Sequence, residues 1–61
     1  MTNYEKAITK AFDKIDRLVE LGFTTKEIAD IVTGMTIAFD ALELLTPDEL
    51  ATFRAKCLDR I

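Results

Sequence analysis

Few side chains in this 61-residue chain could do chemistry. There is one thiol, Cys57, and one phenol, Tyr4, and the sequence contains no His, Ser, Gln or Trp. Nucleophilic catalysis needs an activated hydroxyl, thiol or amine beside a base, and most of that inventory is missing. Asp13, Asp16 and Glu20 recur at helical spacing and could approach one hard cation. Calcium and magnesium sites draw oxygens from more than one segment, however, and the interleaved Lys14 and Arg17 would compete. Cys57 takes a core-facing helical position, where a thiol is ordinarily inert. The expectation is therefore no catalytic residue, no metal, no cofactor and no small-molecule substrate: not an enzyme. The lone cysteine closes no intrachain disulfide and fits a reducing, cytoplasmic setting. The longest apolar run is Ile37-Ala38-Phe39, too short to cross a membrane, and nothing resembles a signal peptide.

Three helices are needed to position these residues, and each announces its start. Thr-x-x-Glu heads three apolar-periodic runs, at Thr2…Glu5, Thr24…Glu27 and Thr46…Glu49. In such a capping box the Thr oxygen accepts from the N3 amide while the Glu carboxylate accepts from the N-cap amide. Pro47 suits the first helical position and Asp48 the positive end of the dipole. Leu45 with Leu50, and Phe23 with Ile28, stand at the N′ and N4 positions of a hydrophobic staple. The fold predicted is all-α: one compact three-helix domain over 1–61, with helices at about 3–21, 25–45 and 47–60, and loops short enough to make neighbours antiparallel. Tyr4, Ala7, Ile8, Ala11, Phe12, Ile15, Leu18 and Val19 mark the buried face of the first helix. Gly22 is its left-handed terminator. Leu50, Phe53, Cys57, Leu58 and Ile61 mark the third.

The second helix is the unusual one. Ile28, Ile31, Val32, Met35, Phe39 and Leu42 cluster on one side as a core stripe. Ile37 and Leu44, seven residues apart, fall almost opposite, with Ala41 on the same flank. A helix apolar on all sides is normally buried on all sides, and two short helices cannot cover both. Gly34, Ala38 and Ala41 add a strip of small residues, and a mid-helix Gly costs roughly 1 kcal/mol against Ala. Close approach of another backbone would explain it. Gly34, Ile37, Ala38, Ala41 and Leu44 are thus the expected interface, with Ile37, Ala41 and Leu44 facing their symmetry mates across the two-fold axis of a helical-bundle homodimer.

The stretch Thr25-Lys26-Glu27-Ile28-Ala29 resembles the first helix of the helix-turn-helix family, a likeness that extends over residues 24–39. That resemblance implies a sharp turn, a basic recognition helix and a dimeric DNA-binding regulator. Gly34 falls one place late for such a turn. The recognition helix would be Thr36–Leu45, which holds Asp40 and Glu43 and no Lys or Arg. Base reading and phosphate anchoring need those donors. The residues themselves read as a capped helix that continues through Thr33-Gly34, so nucleic acid is not the expected partner.

Charge is divided unevenly. Acids and bases balance in the first helix (Lys6, Lys10, Lys14 and Arg17 against Glu5, Asp13, Asp16 and Glu20) and again in the third. The net charge of −3 therefore sits on the middle segment: Lys26 against Glu27, Asp30, Asp40 and Glu43. The bases of the first helix form a ridge, either a solvated face stitched by pairs such as Asp13–Arg17 or an edge for an acidic partner. Together these readings describe a small, non-enzymatic protein–protein interaction module acting as a homodimer. It would be an adaptor or inhibitor of a larger protein, of the phage and mobile-element accessory type. Its charged partner-binding edges would be Asp30, Asp40 and Glu43 on one side, and Lys6, Lys10, Lys14 and Arg17 on the other. The alternative is a dimeric DNA-binding transcriptional regulator with a degenerate helix-turn-helix, reading through that basic ridge.

Overall fold

The structure, a computed structural model, describes residues 1–61. Three helices and no strands make up the chain: α1 (Asn3–Glu20), α2 (Thr25–Ala41) and α3 (Pro47–Asp59). All three capping boxes are formed. Each Thr oxygen accepts from the N3 amide at 3.1–3.2 Å, and each Glu Oε1 accepts from the N-cap amide at 2.9–3.1 Å. The chain measures 31 × 21 × 17 Å, and no helix is long and apolar enough to cross a membrane.

α3 is the post on which the other two helices hang. α1 and α2 both pack against it and touch each other little. Phe53 is fully buried, and its ring meets that of Phe39 edge-on, with centroids 5.4 Å apart and planes at 84°. Ala11, Ile15 and Leu18 of α1, Ile28 and Val32 of α2, and Leu50 and Cys57 of α3 complete the core with Leu45. On the outer side Arg60 clamps Asp16 with two bonds, Nε to Oδ1 at 3.0 Å and Nη2 to Oδ2 at 2.8 Å. The same guanidinium lies 4.4 Å from the centre of the Phe12 ring. Lys56 lies over Tyr4 in the same way at 5.7 Å, so α3 runs in the same sense as α1.

One helix end departs from the sequence reading. α1 closes as expected: Gly22 is left-handed (φ 90°), its amide donates to the Val19 carbonyl, and that of Phe23 donates to Leu18. α2 closes by the same Schellman pattern, four residues earlier than the periodicity suggests. The Glu43 amide donates to Asp40 and the Leu44 amide to Phe39, with Glu43 itself left-handed at φ 55°. No glycine marks this stop, so the largely apolar stretch Ala41–Leu45, interrupted only by Glu43, reads as more helix. The turn instead separates neighbours. Leu44 leaves the helix, and Leu45 enters the core beside Leu50, forming the staple of α3.

Two further positions must be corrected. Leu42, placed on the core stripe of α2, is 66% exposed because the helix ends before a neighbour reaches it. Val19, placed on the core face of α1, is 53% exposed. The Asp13–Arg17 pair is not formed; the single ion pair is Arg60–Asp16. Within α2, Thr33 and Thr36 donate their hydroxyls back to the Ala29 and Val32 carbonyls at 3.1 and 2.9 Å, so neither leaves an unsatisfied group on the helix.

Glu43 is the one non-glycine residue held at positive φ, a conformation that costs a side-chain-bearing residue about 1 kcal/mol or more. Glu43→Gly should raise stability by about 1 kcal/mol, read from the urea midpoint at unchanged slope. Acid should act in the opposite direction. Amide bonds within the capping boxes hold the Glu5 and Glu27 carboxyls below their ordinary range, and the Arg60 hydrogen bond does the same for Asp16. A depressed carboxyl stabilises the fold above its unfolded pKa, about 3.9–4.3, and that stabilisation is lost as pH falls through the folded value. Melting temperature should therefore hold down to about pH 5 and fall below about pH 4. The fall should be shallower in a triple variant carrying Glu5→Gln, Asp16→Asn and Glu27→Gln.

Candidate functional site

The sparse contact between α1 and α2 leaves a groove open between them at the end of the molecule that holds the α2–α3 turn. Its volume is about 340 Å³. Ala7 and Ala11 of α1 floor one side, Met35 and Phe39 of α2 the other, and Leu44 and Leu45 close the end. Two alanines one turn apart present little bulk to the larger side chains of α2, and the space between them stays unfilled. That pairing was the available sequence signal for the groove, whose floor residues periodicity reads simply as core.

Lys6, Lys10 and Lys14 stand along the α1 side of this groove. They are spaced one turn apart, so the row spans roughly 12 Å at 1.5 Å per residue. All three are exposed and none is in an ion pair. Lys10, Lys14 and Arg17 also border a shallow depression together with Asp13. The basic ridge read from the sequence is therefore present in space, and its inner flank is the rim of an apolar groove.

The predicted interface residues part company. Gly34, Ile37, Ala38 and Ala41 share the outward side of α2 and are exposed, Ile37 at 65%. Leu44 does not join them. It belongs to the turn and lines the groove, so the seven-residue Ile37–Leu44 stripe does not exist as a helix face. Gly34 has open space where a Cβ would stand, and no part of the chain lies within 4 Å of that point. Nothing inside the fold requires a glycine there. Asp30 and Asp40 flank Ile37 on the exposed side of the same helix, and Glu43 follows in the turn. α2 is unbroken from Thr25 to Ala41, so the turn that the helix-turn-helix resemblance implies is absent at Gly34.

Elsewhere the molecule offers little. No three His, Cys, Asp or Glu residues converge as metal ligands would. Tyr4 Oη is enclosed without a hydrogen-bond partner on the α1–α3 side. Val19, Leu21 and Phe23 form an exposed apolar corner at the α1–α2 turn. No family model, curated protein or solved structure matches the chain.

Cys57 is fully buried, and desolvation pushes its thiol above the ordinary cysteine range. A thiol-specific disulfide reagent should modify it only through unfolding. For a small core worth about 3–5 kcal/mol, that slows the native reaction by about two to four orders of magnitude relative to the chain in urea. Rapid native labelling would show instead that the α3 face of the core opens locally.

Proposed function

We propose that the chain is a small, non-enzymatic protein–protein interaction module, an adaptor or inhibitor of a larger protein in the cytoplasm, acting as a homo-oligomer. The observation that carries this reading is the apolar outward side of α2, with Ile37 two-thirds exposed, lying next to an open apolar groove. Isolated exposed apolar residues are ordinary on a folded surface. A continuous apolar face beside a concave apolar surface is the usual mark of a protein contact. The size of the core supports the same reading. Only 9 of 61 residues are buried, and a core this small is of the kind to which a partner chain often adds stability.

A second copy on α2 leaves the larger protein the surface outside that contact. It includes the Arg17 end of the basic ridge and the exposed apolar residues Val19, Leu21 and Phe23, at the far end of α1 from Lys6.

Solution mass by light scattering tests the self-association. The wild type should be a dimer, and Ile37→Asp should convert it to a monomer with unchanged helical circular dichroism, because Ile37 contributes nothing to the core. A monomeric wild type whose mass and stability ignore the substitution would refute the homo-oligomer.

A further inference from the structure

The geometry points to a second copy of this chain as the occupant of the α1–α2 groove, with the acidic outward face of its α2 lying between the lysine rim and Phe39. The arrangement is reciprocal, each copy giving its α2 and receiving its partner's. This assignment rests on the self-association reading above and specifies how that dimer is built.

Three observations support it. First, the groove is apolar in its floor and basic on its α1 side, where Lys6, Lys10 and Lys14 have no acidic partner within the chain. An occupant must therefore be an apolar segment carrying carboxylates. Second, the outward side of α2 has that chemistry. Ile37 and Ala41 supply the apolar stripe, and Asp30 and Asp40 lie beside it. No base follows Lys26 before Arg54, so the net charge of −3 lies on the segment that carries this face, with Asp30 and Asp40 on the face itself. Third, the reciprocal arrangement brings more surface into the contact. A stable interface buries about 800 Å² per partner, close to a fifth of the 4292 Å² surface of one chain. In a reciprocal contact each copy contributes two surfaces to that area, the Ile37 stripe and the groove, rather than the stripe alone. Gly34 and Ala38 on the same side of α2 then let the partner's α1 come close, which gives Gly34 a reason that the monomer does not provide.

The alternative packing sets α2 on α2 across the axis and leaves the groove vacant. Charge exchange separates the two. In a first variant Lys10→Glu and Lys14→Glu make the rim acidic; in a second, Asp30→Lys and Asp40→Lys make the α2 face basic. A control carrying Arg54→Glu and Lys56→Glu on α3 matches the net charge of the first variant while leaving the groove untouched. All six positions are exposed, and circular dichroism checks that each variant is folded. Sedimentation or light scattering over a dilution series then reads the association.

The wild type and the control should dimerise. Each of the two variants alone should associate more weakly than the wild type by a factor of about ten or more, because like charges then meet across the contact. An equimolar mixture of the two variants should dimerise again, since both reciprocal contacts regain opposite charges. Dimerisation of the first variant at wild-type strength would overturn the groove assignment while leaving the homodimer standing, as would loss of association in the control to the same degree. A monomeric wild type removes the self-association reading itself, and the assignment with it.

Discussion

Burial of Phe53 between the two other helices is the contact on which this fold depends. α1 and α2 scarcely meet, so their relative placement is inherited from α3, and the edge-on contact of Phe53 with Phe39 ties the C-terminal half of α2 to that post. On the opposite flank the Arg60 clamp on Asp16, with the guanidinium stacked on Phe12, fixes α1. A three-helix unit assembled on one central helix leaves the spacing of the two outer helices to that post, so small facing side chains leave the space between them unfilled. Ala7 and Ala11 are small, and the groove opens beside them.

The turn at Glu43 is the second determinant. Had α2 continued to Leu45, Leu44 would have extended the outward apolar stripe and Leu45 would have pointed away from the staple it forms with Leu50. The left-handed backbone at Glu43 divides these leucines instead, sending Leu44 to the end of the groove and Leu45 into the core. A residue with a Cβ is held in an unfavourable conformation because the two amides of the turn find carbonyls on α2 and a buried leucine follows immediately.

What could be read in advance divides along the same line. Helix starts were legible because a capping box is complete within four residues, and all three are formed as the sequence implies. Helix ends were legible only at Gly22, where the left-handed residue is a glycine. Glu43 occupies the same conformation without that signature, and periodicity carried the helix past it. Val19 and Leu42 show the limit of periodicity itself: it assigns a residue to a face but not whether a neighbour reaches that far along the axis. The outward exposure of Ile37, Ala38 and Ala41 followed correctly from counting the helices available to cover α2. The groove did not follow, because it depends on how far apart α3 holds the two other helices, and Ala7 and Ala11 read locally as core.

The distribution of charge connects these points. Acids and bases balance within α1 and within α3, where intrachain neutralisation is available to them, yet one ion pair forms in the whole molecule. The remaining lysines of α1 face an apolar groove, and the carboxylates of α2 border an apolar stripe. Each surface is an awkward one for a solitary chain, and each has the composition that would cover the other. Association would also relieve the energetic weakness of so small a core. A partner that binds only the folded state stabilises it by mass action, so contacts between copies would add to folding stability at working concentration. In that arrangement the groove left by Ala7 and Ala11 is not a packing deficit of the monomer. It would be one half of a core that the second copy completes.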